Sequence, residues 1–489
     1  MDESNAFIKK KEIGNFLILF SFAGFLALQN ICVPFSKSVN YSDSSIYQYI
    51  GHLVTLGKMP YVDAFDHKGS ILYLINALGC LISPKNGIWI IDTIFMMIFF
   101  AFAYLISRKF VDSSTALVTS LVVMLGVQEN YWIGNTPDFY AAVMSMCAVF
   151  FLVDFFIVGD LKNKQILLVG VFSAIVFWLK PNCIGIIGGI CIAIIVKSIL
   201  SKKLGLFFRC LIFFFCGLGL VTIPILIWLF FNNAIMMMFK DYFLFNFVYA
   251  GENASLLEKI NALYFFLRNQ STVFTLINIF IYYLIYVKKN SLKEKCKNNF
   301  LLISSCITLI FQILICAMPG REYTQYGIML FPVYVLIISI VINEVQKNNI
   351  FGKNLWLVGL IVLIMIVIPN CKDSIENQEI NWNKTDDVDV VEVIKNNTQQ
   401  GDKIAVASPD HGGLYLWSGC ESATNTPYIQ ASLYDNEDFW RTYIEQLKDK
   451  EVRVIVWNKN WPIENYMNEV IDGYIDVFET EKVCVYLKK

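Results

Sequence analysis

Long apolar runs dominate the chain up to residue 370, at 16–34, 87–106, 139–158, 206–231 and 327–342. Several approach the roughly 20 apolar residues that cross a bilayer's hydrocarbon core. None alternates in polarity as a barrel strand does, so these runs are helices, which satisfy their own backbone in lipid. Further spans are predicted near 115–131, 165–179, 183–196, 272–287, 299–318 and 355–370, about eleven in all. Two long stretches between spans, 35–86 and 232–271, keep apolar residues at helical spacing: Ile46, Tyr49, Ile50 and Leu53, then Ile260, Leu263 and Phe266. That pattern predicts helices lying along the membrane interface.

After residue 371 the polarity becomes that of a soluble domain. The pattern predicts a helix over 389–396, a strand over 403–407 after Gly401-Asp402, a strand over 453–457, and a hairpin over 474–486 turning near Thr480-Glu481. The chain thus reads as a polytopic α-helical membrane domain, residues 1–370, followed by an α/β domain over 371–489 of about 110 residues.

Composition agrees, with 56% hydrophobic and 16% charged residues, where a soluble domain carries about a quarter charged. The net charge of −1 averages two unlike parts, and nothing in it points to nucleic acid. Loop by loop the charge is asymmetric. Lys9 to Lys11, Arg108-Lys109, Lys162, Lys164, Lys197, Lys202-Lys203, the lysines of 288–297, Lys347 and Lys353 fall on one side. Asp43, Asp63, Asp66, Glu129, Asp138, Asp241, Glu252 and Glu322 fall on the other. The positive-inside rule then places the N-terminus in the cytoplasm and the C-terminal domain outside it. Abundant Lys, Asn and Ile fit the cell membrane of a low-GC bacterium.

The first run follows lysines as a secretory signal does, but it is too long for one and no small-residue cleavage site follows. The 13 cysteines form no CxxC pair and suit packed helix positions. No P-loop, dinucleotide glycine fingerprint or zinc spacing occurs. His411-Gly412-Gly413 lacks an accompanying nucleophile elbow and reads as a turn before a strand over 414–417.

The densest chemistry lies between Asp43 and Lys68, where three carboxylates (Asp43, Asp63, Asp66), two histidines (His52, His67) and two lysines (Lys58, Lys68) are set among Tyr47, Tyr49, Tyr61 and Phe65. A solvated loop would account for the charges, but not for the embedded aromatics or the length. Asp138, just before a span, is either a helix-terminal carboxylate or a second acidic site. Lys180, in Trp178-Leu179-Lys180-Pro181, sits where a lysine reaches headgroups or a substrate. Arg321 offers a forked donor for phosphate or pairs with Glu322. The adjacent Asp66 and His67 either hold a divalent metal ion or orient Lys68.

An acidic residue followed four positions on by tyrosine, Asp43 and Tyr47, resembles the start of the GT-C branch of protein O-mannosyltransferases and lipid A aminoarabinose transferases. The segment Gly57-x-x-Pro60-Tyr61-x-Asp63-x-Phe65-Asp66-x-Lys68 resembles that branch's second signature, with Gly69-Ser70 standing where proline is usual. Arg321-Glu322-Tyr323-x-x-Tyr326 resembles its late Arg-Tyr-x-x-Tyr stretch with Glu322 interposed. The resemblance implies Asp43 as catalytic acid-base residue, Lys68 and Arg321 at the lipid phosphate, Asp138 as second acidic residue, and Tyr47, Lys180 and Tyr326 as substrate contacts. It also implies an inverting glycosyltransferase that moves a sugar from a polyprenyl-phosphate donor to a glycan, lipid or protein acceptor on the outer membrane face. A lipid-linked oligosaccharide polymerase stays within that class. The competing reading is a lipid or sugar flippase or transporter, for which the membrane-embedded Asp92 and Asp154 are the natural residues.

Overall fold

The computed structural model describes residues 2–131, 134–247, 254–288, 299–348, 383, 386–409, 411–430, 433, 436–449, 452–459 and 470–489. The chain divides into two compact units. The first is Met1–Gln29, Asp92–Leu226 and Ala250–Ile375; the second is Asn30–Ile91, Ile227–Tyr249 and Glu376–Lys489.

Six helices among the described residues are long and apolar enough to cross a membrane: Gly87–Arg108, Pro137–Val158, Pro181–Leu200, Gly205–Phe231, Asn299–Ala317 and Thr324–Lys347. Ser70–Ile82, Ser113–Leu125, Asn163–Leu179 and Gln270–Ile285 are apolar but shorter. The span expected at 355–370 lies outside the described residues. The first helix, Asp2–Ala27, stops before the apolar run ends at Pro34, because Asn30 turns its side-chain oxygen onto the Cys32 N–H at 2.7 Å and competes with the helical ladder.

Local chemistry sets the other ends. The Pro137–Val158 helix is capped by Thr136, whose side chain accepts from the Phe139 N–H at 3.2 Å, and it closes at Gly159 with φ 84°. Within the first unit, small residues and hydroxyls knit the helices. A Cβ at Gly170 would lie 2.2 Å from the Phe214 carbonyl oxygen, and one at Gly217 2.1 Å from that of Leu167, so only glycine permits this crossing. Ser107 and Ser339 meet at 2.9 Å and Thr272 meets Tyr334 at 2.6 Å, polar ties suited to a lipid-surrounded bundle. The Leu204–Phe231 helix exposes Phe208, Ile212, Phe215, Ile223 and Phe230, the kind of surface a bilayer covers.

The second unit contains a five-stranded sheet of order β2-β1-β3-β5-β4, with β1 Lys403–Ala407, β2 Glu421–Ser422, β3 Val454–Asn458, β4 Tyr474–Glu479 and β5 Val483–Lys488. Strands β1, β2 and β3 run parallel, and β5 is antiparallel to both β3 and β4. The Glu437–Asp449 helix lays Trp440, Tyr443 and Leu447 on Ala405, Ile455 and Trp457 to form the core.

Two expectations change here. Residues 414–417 form part of a helix, Gly413–Ser418, rather than a strand. The Asp43–Thr55 helix does not leave its apolar side for a membrane surface; Ile46, Tyr49, Ile50 and Leu53 are all buried by protein. Tyr49 stacks on Tyr415 with ring centroids 4.4 Å apart and its hydroxyl accepts from the Ser422 N–H at 2.7 Å. Gly412 and Gly413 explain both changes. A Cβ at Gly412 would lie 2.6 Å from Ile46 Cδ1, and one at Gly413 2.2 Å from the Asn40 carbonyl oxygen. The glycine pair lets the short helix close onto residues 40–46. In the other long stretch, the Leu256–Arg268 helix meets the expectation only in part: Ile260 is exposed, Leu263 is half-buried and Phe266 is buried by protein.

Candidate active site

Asp43 opens the Asp43–Thr55 helix. The turn before it is fixed by Asn40, whose side-chain oxygen accepts from both the Ser42 N–H at 3.2 Å and the Ser42 hydroxyl at 2.8 Å. The helix is buried from Ser44 to Gly51, whereas Asp43 is exposed at its positive end, a placement that favours an ionised carboxylate. Tyr47 lies one turn further on the same face. The Lys68 ammonium stands 6.0 Å from the Tyr47 ring centroid. Tyr47 thus has Asp43 one turn before it on its own helix and the Lys68 ammonium near its ring.

Lys68 is held there by the two residues before it. Asp66 is 1% exposed, yet its carboxylate is well supplied with donors: the Tyr73 hydroxyl at 3.0 Å, the Tyr428 hydroxyl at 2.8 Å and the His67 N–H at 2.7 Å. Burial alone would raise this carboxyl. The hydrogen bond from His67, the nearby charge of Lys68 and the Tyr428 hydroxyl outweigh burial and hold it down at about 2. Nδ1 of His67 lies 3.3 Å from Asp66 Oδ1, and its Nε2 meets the Lys68 ammonium. A carboxylate on one side and a cation on the other select the tautomer with the proton on Nδ1, so Nε2 accepts from Lys68. The backbone is fastened as well. Tyr61 donates to the Lys68 carbonyl at 2.8 Å, the Tyr73 hydroxyl oxygen accepts from the Lys68 N–H at 3.2 Å, and Asn246 donates to the His67 carbonyl at 2.6 Å.

Asp241 approaches from the π-helix Phe239–Leu244, a helix type that clusters at functional sites. Burial first, and then the Asp66 charge, push its carboxyl up to about 7 against the opposing pull of Lys240. A carboxyl raised in the folded state binds a proton that the unfolded chain has released. Its contribution is complete below about pH 4 and is lost as pH rises through about 7. The purified protein is expected to melt at a lower temperature at pH 8 than at pH 5, with the difference reduced in Asp241→Asn. An equal pH dependence in parent and variant would remove Asp241 as its source.

In the first unit, three residues singled out in the sequence come together. Lys180 donates to both oxygens of Asp138, at 2.9 and 3.1 Å, and its ammonium lies 3.8 Å from the Tyr326 ring centroid. Asp138 is not the N-cap, a place taken by Thr136; it sits in the first turn, 4% exposed, with Cys183 Sγ 3.7 Å from Oδ1. Lys180 is turned inward onto this carboxylate rather than outward to headgroups. Arg321 and Glu322 are both exposed. The Glu258 carboxyl is held below its usual range first by its capping partner Ser255 and more weakly by Arg321.

The two membrane-embedded acids are engaged within the same unit. Asp92 accepts from the Tyr131 hydroxyl at 3.0 Å, the Asn135 N–H at 2.7 Å and the Tyr140 hydroxyl, and so pins the segment that leads into the Pro137–Val158 helix. Asp154 accepts from Lys109 at 2.5 Å and Gln165 at 2.6 Å.

The metal expectation at Asp66 and His67 meets a poor donor set. Both Asp66 oxygens accept phenolic protons and His67 Nε2 faces an ammonium. Among the described residues no three His, Cys, Asp or Glu side chains gather as a metal site requires. The residues fit the orienting role instead. His411 has a packing role: Nδ1 meets the Ser408 hydroxyl at 2.6 Å and Nε2 lies 3.6 Å from Asp387. Ser408 is fully buried and also accepts from Asn458 at 3.3 Å, so no substrate reaches it.

Tyr428, Asn246 and the part played by Asp241 escape a sequence reading. Each reaches the 66–68 segment from far along the chain and carries no local motif. Tyr73 is nearer, and its signal is an aromatic in the first turn of the helix that follows Lys68.

The fold has solved counterparts. A crystal structure of ArnT from Cupriavidus metallidurans bound to undecaprenyl phosphate superimposes with TM-score 0.64 at 10% identity, covering 96% of this chain and 97% of that chain. The same protein in the apo state gives TM-score 0.63 at 10% identity, covering 97% and 98%. The archaeal oligosaccharyltransferase AglB from Archaeoglobus fulgidus, in complex with an inhibitory peptide and a dolichol-phosphate, reaches TM-score 0.46 at 12% identity, covering 93% of this chain and 70% of that one. No curated protein matches the chain in sequence. The ArnT likeness shows a shared fold, in which long apolar helices able to cross a membrane are joined to a small C-terminal sheet domain. Residues 3–354 match the competence-induced protein Ccs4 N-terminal domain family, and the chain belongs to that family.

Proposed function

We propose that this protein is an inverting glycosyltransferase that takes a sugar from a polyprenyl-phosphate donor and places it on an acceptor hydroxyl at the outer face of the membrane. The observation that supports the reading is an oriented ammonium, Lys68, 6.0 Å from the ring of Tyr47, on a helix that opens with the exposed carboxylate of Asp43. Asp43 removes the acceptor's proton as its oxygen attacks the anomeric carbon from the face opposite the donor phosphate. The anomeric carbon–oxygen bond breaks, and its electrons leave with the polyprenyl phosphate. That leaving group is already a stable anion, so it needs a cation rather than a general acid, and Lys68 supplies one. Arg321 is a second donor-phosphate cation, with Tyr47, Lys180 and Tyr326 as substrate contacts and Asp138 as the second acidic site. No step is assigned to a metal ion.

Undecaprenyl phosphate in the ArnT structure supports a polyprenyl donor. The lysine distribution along the chain supports a cytoplasmic N-terminus and an extracytoplasmic C-terminal domain. A transporter that moved its substrate by way of Asp92 or Asp154 would leave those acids available, and both are committed to fixed partners. The acceptor class, whether surface polymer, lipid or protein, is read by mass spectrometry of surface glycans and of lipid-linked sugars with and without the gene. Loss of one glycan residue with accumulation of its lipid-phosphate donor is expected. Unchanged glycans and an unchanged lipid pool would refute the reading.

Lys68→Ala and Arg321→Ala should each raise the donor KM. A hydrogen bond to a charged group contributes about 1.5–3 kcal/mol, or about 10- to 150-fold. Parental donor dependence at normal protein abundance would take the substituted residue out of the site.

A further inference from the structure

The family match ends at residue 354, yet one of the donors to Asp66 comes from the C-terminal domain. We infer that Tyr428 is a positioning residue for the lipid-phosphate site: its hydroxyl fixes the Asp66 carboxylate, which sets His67 and through it the Lys68 ammonium. The inference rests on the glycosyltransferase reading above and adds a participant from outside the matched region.

Three contacts join residues 425–428 to the segment that carries Lys68. The Phe65 N–H donates to the Asn425 carbonyl at 2.6 Å. The Phe65 and Tyr428 rings stack with centroids 6.3 Å apart and planes at 27°. The Tyr428 hydroxyl donates to Asp66 Oδ1 at 2.8 Å, and both residues are buried. The first two contacts place the phenol and the third uses it. A buried carboxylate depends on its donors, and those made to a charged group are among the stronger hydrogen bonds. Without the Tyr428 hydroxyl, Oδ1 keeps the His67 N–H, while Tyr73 serves only Oδ2. The carboxylate can then rotate and take up a proton more readily. His67 loses the fixed negative charge that holds its proton on Nδ1, and Nε2 no longer presents a steady acceptor to Lys68. The ammonium that should meet phosphate becomes one of many rotamers.

Tyr428→Phe tests this, because it keeps the ring stack on Phe65 and removes only the hydroxyl. Binding of undecaprenyl phosphate to purified full-length protein in detergent micelles is measured across pH, alongside melting temperature and glycosyl transfer. The expected result is about a three- to tenfold weaker Kd for the lipid phosphate, with turnover at saturating donor close to parental. The loss should grow toward low pH, where the less well supported Asp66 protonates. Asp66→Asn should bind weakly by itself, and adding Tyr428→Phe to it should change nothing further, since the tyrosine acts through that charge.

A Tyr428→Phe protein that melts lower but binds undecaprenyl phosphate as the parent does would overturn the inference and leave the glycosyltransferase reading standing. If Tyr428→Phe does not accumulate, Asp66→Asn decides alone, and parental affinity there overturns the inference. A parent protein that neither binds undecaprenyl phosphate nor transfers sugar defeats the underlying reading and the inference together.

Discussion

Asp43→Asn is expected to lower glycosyl transfer by about 10²- to 10⁴-fold, the range lost with a general base, while abundance and undecaprenyl phosphate binding stay near parental. The substitution keeps the shape of the side chain and removes its capacity to take a proton. Asp43 is exposed at the start of its helix, so the exchange of carboxylate for amide buries no new polar group. A purely structural Asp43 would give the reverse pattern, with less protein in the membrane and full activity per remaining molecule. Near-parental transfer by the purified variant would move the base elsewhere, with Asp138 as the next candidate.

Asp138→Ala should show its largest effect on folding. Asp138 and Lys180 are 6% and 14% exposed in their side chains, and removing the carboxylate leaves a buried ammonium facing the Tyr326 ring. Breaking a buried ion pair by deleting one partner costs about 3–5 kcal/mol, whereas replacing both partners with apolar residues of similar size is often neutral. The single variant should therefore melt at a much lower temperature in detergent, and Asp138→Ala/Lys180→Met should recover most of the loss. Transfer by the double variant separates the two roles of the acid. Restored stability without transfer keeps the Asp138–Lys180 pair in the chemistry; restored transfer reduces it to a packing element.

Six of the about eleven expected spans were legible as long apolar helices among the described residues, because continuous apolar length is a direct physical requirement of the bilayer, and 87–106 and 139–158 reappear almost unchanged as Gly87–Arg108 and Pro137–Val158. The strands at 403–407 and 453–457 and the terminal hairpin were legible from clustered β-branched residues and turn chemistry. What failed was short or non-local. Residues 414–417 carry too few positions for a periodicity to choose between strand and helix, and the choice was made by Gly412-Gly413 closing onto Ile46 and Asn40. Strand β2, Glu421–Ser422, exists only because β1 offers it a parallel edge. Asp43 and Lys68 in one unit, and Asp138 and Lys180 in the other, stood out as charges in apolar surroundings. Their partners did not: a phenol such as Tyr428 is an ordinary aromatic until the fold brings it beside Asp66. Asp92 was conspicuous as an embedded acid, but its three donors, which give it a structural role, were hidden in the short segment from Tyr131 to Tyr140.

The bond between Tyr428 and Asp66 joins positions 362 residues apart, and a ribosome makes the early one first. At roughly 5–20 residues per second, the segment around Lys68 waits about 20–70 s before its phenol donor has been synthesised. Over that interval the early spans can already be in the bilayer, with a lysine whose orientation is not yet fixed. The membrane bundle can be inserted before the site is finished, so an arrested or clipped chain would resemble the mature protein in its spans and lack its aim.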